Sequence, residues 1–321
     1  MVMKKRTIIL VIVGVLLLLV VASAGAAAYL VNFALEPRNN HGRNVAGSYE
    51  RLYKEYPAMH AWVDSMRKAG NLRDTTIKAW DGDRHHALYA FASHPTGKTA
   101  VLVHGYRDSS VGMLMLARMY ASYGYNVLLP DLHAHGQSQG KDIRMGWLDR
   151  KDVEQWIGVA RHVFAPGADT ARIVVHGISM GAATTMCVSG DNTPAAVKCF
   201  VEDCGYTSAW QEFGYELKQM FHLPEFPVLY IASWISSKRF GWNFKQASPL
   251  HQVARCTKPM LFIHGSNDTY VPTRMVYPLF HAKSGDKNMY MAAGSAHAES
   301  YHDHPTQYTR RVMGFVSQYI K

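Results

Sequence analysis

Charge is scarce in this sequence. Only 18% of its 321 residues are Asp, Glu, Lys or Arg, while 48% are hydrophobic, which excludes a disordered polymer. Acids are the scarcer sign, 24 against 34 bases, for a formal net charge of +10. The bases form no Lys/Arg stripe and no aromatic platform accompanies them, so nucleic acid is excluded as a partner. The excess instead favours solubility and attraction to anionic surfaces. Cysteine is also scarce: Cys187, Cys199, Cys204 and Cys256 are the only four. No pair shows C-x-x-C spacing, which sets aside zinc and thioredoxin-like redox chemistry. Cys199 and Cys256 each precede an expected strand. If those strands are parallel neighbours, the sulfurs share a sheet edge, and a Cys199–Cys256 disulfide is expected. Internal repeats and low-complexity tracts are missing outside the N-terminus. The length suits one large α/β domain.

The N-terminus holds what the rest lacks. Lys4, Lys5 and Arg6 precede Thr7–Val21, almost pure Ile, Leu and Val, and the apolar run continues through Ala22–Leu35. A bilayer-spanning helix needs about 20 apolar residues. The reading is a transmembrane signal anchor over 1–35, with the basic cluster cytoplasmic and the remaining chain extracytoplasmic. The rival is a secreted protein cleaved at Ala22-Ser23-Ala24, a small-x-small pattern. The run persists past that point, which favours the anchor. No cysteine follows it, so the usual lipoprotein anchor is excluded.

Residues 36–73 form a lead-in, with one helix expected over Asn44–Gly70 from the spacing of Tyr49, Leu52, Tyr53, Tyr56 and Met59. From Asp74 strands alternate with helices. "TTIKAW" and "HHALYAFAS" form a hairpin around Asp81-Gly82. "TAVLVHG", "YNVLLPD", "ARIVVHG", "VKCFVED", "PMLFIHG" and "KNMYMAA" follow as strands. Helices are expected over Val111–Tyr123, Trp147–Phe164, Met180–Ser189, Thr273–Lys283 and Pro305–Ile320. Apolar strands alternating with helices imply a mostly parallel sheet covered on both faces. The aromatic-rich stretch 205–244 breaks this rhythm. An insertion after a strand's carboxyl end overlies the crevice where such sheets bind ligands, so it is expected to be a cap forming an apolar pocket, with some of its aromatics simply packing.

The chemistry centres on "RIVVHGISMGAATTM". Gly177-Ile178-Ser179-Met180-Gly181 places a serine between a strand and a helix, flanked by glycines. The sharp corner holds the hydroxyl over the sheet edge, at a helix N-terminus that favours developing negative charge. A serine hydroxyl needs a base, and the base an orienting acid. In this motif's context the chain order is Ser, acid, His. Asp268, in "MLFIHGSNDTYVP", and His297, in "MYMAAGSAHAES", each follow a strand at the carboxyl edge. Asp203, ending "VKCFVED", is the rival acid. His281, His302 and His304 are rival bases. An oxyanion hole needs two N–H donors. Met180 supplies one, and in "VLVHGYRDSS" Tyr106 is the expected second, with Arg107 the alternative.

The histidine pairs His85-His86, His133-Ala134-His135 and His302-Asp303-His304 have ligand-like spacing. His135 is followed by Gly136-Gln137 instead of the acid a hydrolytic H-x-H site wants, so no metal and no cofactor are expected. "PDLHAHGQS" is read as a turn tied by Asp131.

In order and context, "HGYRDSS", "DLHAHGQS", "GISMG", "HGSNDTYVP" and "GSAHAES" resemble the α/β-hydrolase superfamily over about residues 74–321. Within it the chain is similar to bacterial membrane-anchored or secreted hydrolases with a short cap, esterase-like or serine-aminopeptidase-like. The resemblance implies an eight-stranded, mostly parallel sheet with helices on both faces. It also implies a triad of Ser179, Asp268 and His297, and an oxyanion hole at Tyr106 and Met180. The "HGGG" run of some lipases is replaced by His104-Gly105-Tyr106, which counts against a bulky-ester lipase. No propeller domain is recognisable, which counts against a prolyl-oligopeptidase-like enzyme. The expected function is hydrolysis of carboxylic esters on a small-molecule acyl substrate. The alternatives are an aminopeptidase-like peptidase, with Glu202, Asp203 or Glu212 holding the substrate ammonium, and a non-catalytic binding protein. No oligomeric state is assigned.

Overall fold

The structure is a computed structural model that describes residues 2–37, 41–94, 96–165 and 170–321, with backbone alone for 2–4. Eight strands form one sheet: β1 Leu72–Lys78, β2 Arg84–Ala90, β3 Lys98–Val103, β4 Asn126–Pro130, β5 Arg172–Ile178, β6 Val197–Asp203, β7 Met260–Gly265 and β8 Lys287–Ala292. Their order is β1-β2-β4-β3-β5-β6-β7-β8. The β1–β2 and β2–β4 pairs are antiparallel, and β3 onward pairs in parallel. This is the α/β-hydrolase architecture the motifs implied. The central strands read as continuous apolar runs because both their faces are covered. On β3, Val101 and Val103 enter one core while Ala100 and Leu102 enter another on the opposite face.

The helices are α1 Val2–Leu35, α2 Val45–Glu55, α3 Ala58–Lys68, α4 Leu114–Ser122, α5 Asp149–Phe164, α6 Met180–Ser189, α7 Ala209–Phe221, α8 Val228–Phe240, α9 Pro249–Val253, α10 Val276–Ala282, α11 Ser300–Asp303 and α12 Pro305–Val316. The single helix expected over Asn44–Gly70 is two. Tyr56 leaves the helical region at φ −128° and Pro57 follows it, because a residue before proline is pushed toward extended backbone. Asn44 caps α2 by accepting from the Gly47 amide at 3.1 Å. The expected Cys199–Cys256 disulfide is absent. Both residues are free thiols, and they sit in the cores on opposite faces of the sheet, so strand adjacency does not bring the sulfurs together.

Helix α1 has two environments. From Ile8 to Val21 its apolar side chains stand exposed, whereas Ala27, Val31 and Leu35, one helical face, are 0–1% exposed within the domain's core. Its last carbonyl, Leu35, accepts from the Ile143 amide at 2.8 Å. Its end packs beside α8 in the cap, where Arg239 donates to Asn32 Oδ1 at 2.5 Å and Glu36 Oε1 at 3.0 Å. The cap is α7 and α8, with Pro224 and Pro227 in the turn between them. Its aromatics divide: Trp242 and Phe244, just beyond α8, are buried, while Phe226, Tyr230 and Trp234 are exposed.

Candidate active site

Strand β5 ends at Ile178 and α6 begins at Met180, so Ser179 alone makes the corner. It adopts φ 58°, ψ −120°, a strained left-handed conformation that a non-glycine residue keeps only when its surroundings enforce it. The flanking glycines have a steric reason. A Cβ on Gly177 would fall on the Gly181 carbonyl, and one on Gly181 on the carbonyls of Val103 and His104. The Ser179 amide donates to the Asp203 carbonyl at 2.8 Å, tying the corner to β6.

The structure brings Ser179, His297 and Asp268 together. His297 Nε2 lies 2.8 Å from Ser179 Oγ, and its Nδ1 lies 2.8 Å from Asp268 Oδ2. Asp268 Oδ1 accepts from the Tyr270 and Val271 amides, each at 3.0 Å. Burial pushes the Asp268 carboxyl up, but hydrogen bonds from His264 and His297 outweigh it and hold its pKa below the usual carboxylate value. His264 is the residue the sequence reading missed. Fully buried at the end of β7, its Nε2 lies 2.9 Å from the Val271 carbonyl and 3.3 Å from Asp268 Oδ2. Burial opposes its cation, yet the Asp268 hydrogen bond and the Glu202 charge leave its pKa raised. The available signal was its place four residues before Asp268 in "HGSND".

The rivals lie elsewhere. Asp203 accepts from Tyr308 Oη at 2.9 Å and Ser300 Oγ at 3.4 Å, and burial raises its pKa to about 6. His302 pairs with Glu299 and Asp303. His304 Nε2 meets the Ala293 carbonyl at 2.8 Å, and His281 is exposed on α10. Glu202 is fully buried, takes the Gly205 amide at 3.0 Å, and burial lifts its pKa to about 8.

On the β3 side the chain passes close to the serine: a Cβ on Gly105 would touch Ser179 Cβ at 3.4 Å. The Arg107 amide is already engaged, donating to His135 Nε2 at 3.2 Å, which favours Tyr106 as the second oxyanion donor. Met180 opens α6, where first-turn amides have no intrahelical acceptor. The adjoining turn is tied as read: Asp131 accepts from the Ser110 amide at 2.7 Å and the Gln137 amide at 2.9 Å, and meets His86 Nδ1 at 2.7 Å.

Above Ser179 lies a cavity of about 170 Å³ with mostly apolar walls from the β3 loop, α6, the cap and, unexpectedly, α1, which contributes Leu30, Val31, Phe33 and Ala34. Two acids one turn apart on α7, Glu212 and Glu216, also line it. Glu212 is 4% exposed, and its Oε2 has no hydrogen-bond partner among the described residues. Burial raises both carboxyl pKa values, that of Glu212 strongly.

Of the histidine pairs, His85 and His133 converge with Asp81. Arg144 Nη2 sits 2.7 Å from Asp81 Oδ2, so a guanidinium already supplies positive charge there.

Comparison with known proteins bears on the family and the fold. A sequence profile described as the prolyl oligopeptidase family matches residues 111–321, which carry β4–β8 and Ser179, Asp268 and His297. That corrects the exclusion drawn from the missing propeller, since the matched segment lies wholly within the α/β sheet domain. Uncharacterized protein YqkD of Bacillus subtilis (strain 168) is 29% identical over 71% of this chain and 74% of its own. Uncharacterized protein YfhR of Escherichia coli (strain K12) is 23% identical over 68% and 69%. Among solved structures, the Pyrococcus furiosus esterase Pf2001 superposes with a TM-score of 0.64 at 22% identity, covering 80% of this chain and 96% of its own. The Pyrococcus horikoshii acylaminoacyl peptidase gives 0.58 at 19% identity, covering 78% of this chain and 42% of its own. At these identities the two structures speak to the fold.

Proposed function

The chain belongs to the prolyl oligopeptidase family of α/β-hydrolases, and from that premise we propose that it is an extracytoplasmic serine hydrolase that cleaves carboxylic esters of small or medium acyl groups. The observation that carries this reading is the relay of two 2.8 Å hydrogen bonds, Asp268 to His297 to Ser179, beneath an apolar cavity. Ser179 Oγ attacks the acyl carbonyl as His297 Nε2 takes its proton. Asp268 fixes the imidazole tautomer and stabilises the cation that forms. The oxyanion rests on the Met180 and Tyr106 amides. His297 returns the proton to the departing alcohol. Water, deprotonated by the same imidazole, then releases the acid from the acyl-enzyme. The reaction calls for no cofactor. In this reading α1 anchors the chain with Lys5 and Arg6 cytoplasmic, residues 36–73 lead in, and 205–244 form the cap of the 74–321 domain.

Glu212 and Glu216 favour a second reading, an aminopeptidase-like peptidase whose substrate ammonium meets these acids. Burial favours the neutral acid of Glu212, which suits an uncharged acyl group better, so the ester reading stands first. The test measures kcat/KM on p-nitrophenyl esters of increasing chain length and on aminoacyl p-nitroanilides, for the parent and Glu212→Gln. Ester turnover should exceed anilide turnover, and Glu212→Gln should change ester kcat/KM by less than about threefold. Anilide turnover that dominates and falls tenfold or more in Glu212→Gln would establish the peptidase. Loss of both activities in a folded parent would leave the binding-protein reading.

A further inference from the structure

The same helix that is apolar and exposed over residues 8–21 forms a wall of the cavity above Ser179 at residues 30–34. No flexible linker separates the two, because α1 runs unbroken from Val2 to Leu35. Helix geometry therefore fixes how far the cavity stands from a bilayer. A hydrocarbon core about 30 Å thick takes about 20 residues at roughly 1.5 Å each. Counted from Arg6, the core ends at Ala26, and burial in the domain begins at the next residue, Ala27. Leu30, Phe33 and Ala34 then lie about 6–12 Å beyond the hydrocarbon edge, at the depth of lipid headgroups and just above.

The surroundings of α1 match that depth. The neighbouring cap exposes Phe226 at 71%, Trp234 at 62% and Tyr230 at 48%, and Tyr29 of α1 itself is exposed. Trp and Tyr concentrate at membrane interfaces, where one end of the ring is apolar and the other wet. Met220 both lines the cavity and is half exposed, so the cavity reaches the surface beside α7. Phe221, another cavity residue, packs edge-on against Phe33 of α1 at 5.9 Å. The loop beside the serine holds this arrangement in place: Tyr106 Oη donates to the Ala34 carbonyl at 2.7 Å and Arg107 Nη2 to the Phe33 carbonyl at 2.5 Å.

We infer that the substrate is a single-chain amphiphile resident in the outer leaflet, an ester whose medium-length acyl chain passes from the bilayer along α1 into the cavity. The inference rests on the proposed ester hydrolysis and names the class of ester. The energetic reason is direct. Carrying an acyl chain through water costs about 0.8 kcal/mol per methylene. A chain moving from lipid along Leu30 and Phe33 stays covered by apolar surface, and its ester is already at headgroup depth. The modest cavity suits one chain and no bulky second one.

The test uses the full chain reconstituted in phosphatidylcholine vesicles. 4-Methylumbelliferyl dodecanoate is placed either in the same vesicles as the protein or in a separate population. 4-Methylumbelliferyl butyrate, supplied in water, reports the hydrolase itself. Dodecanoate in the same vesicles should be cleaved at least tenfold faster than dodecanoate in separate ones, with butyrate turnover equal in both. The surface variant Phe226→Ser/Trp234→Ser, outside the cavity, should lower dodecanoate turnover several-fold and leave butyrate unchanged. Butyrate cleavage with equal dodecanoate rates in the two arrangements would overturn the inference while the esterase reading survives. Failure to cleave either ester would overturn both.

Discussion

Asp268→Asn lowers kcat for ester hydrolysis by about 10³- to 10⁴-fold and also lowers the melting temperature, because Oδ2 faces buried His264 as well as His297. The oxygen that accepts the Tyr270 and Val271 amides is retained, so the loop keeps its backbone hydrogen bonds. What changes is the group facing His297. An amide NH₂ in place of Oδ2 donates to Nδ1 and forces the proton onto Nε2, where it faces Ser179 instead of accepting from it. Steady-state kinetics with a thermal melt check this. Asp203→Asn serves as the comparison, because Asp203 hydrogen-bonds to Tyr308 and Ser300 and not to His297. A loss confined to Asp203→Asn would move the acid to β6.

Gly181→Ala is the second large effect. The added methyl would meet the backbone carbonyls of Val103 and His104, and backbone cannot swing aside as a side chain can. The start of α6 must move away from β3, carrying Met180 and Ser179 with it. Overpacking of this kind costs about 1–3 kcal/mol or more. A displacement near 1 Å costs on the order of 100-fold in rate. The expected result is a lower melting temperature together with at least a hundredfold loss of kcat/KM. A variant as stable and active as the parent would show that the β3–α6 approach is not tight.

These effects were foreseeable from sequence to different degrees. The central strands were legible because strands buried on both faces are written as unbroken apolar runs, and β3, β5, β6 and β7 each end in a recognisable HG or ED, or run through HG into the Ser179 corner. Ser179, Asp268 and His297 stood out because their order and strand-end positions follow one pattern. His264 did not, since a histidine closing a buried strand reads as core until the fold shows Asp268 folding back over it. The docking of α1 was hidden for a different reason. Leu30, Val31 and Phe33 satisfy lipid and protein core equally well, so hydropathy cannot mark where one gives way to the other. The break at Tyr56-Pro57 was visible in the proline but masked by the continuous aromatic spacing. The disulfide expectation failed because adjacency along the sheet says nothing about which face each side chain takes.

Incubating the full chain with a fluorophosphonate and mapping the adduct by peptide mass spectrometry tests the central claim most directly. A single adduct on the peptide containing Ser179, lost in Ser179→Ala and slowed at least a hundredfold in Asp268→Asn, is the predicted result. A folded protein that takes up no label, or takes it up at another serine, would contradict the account.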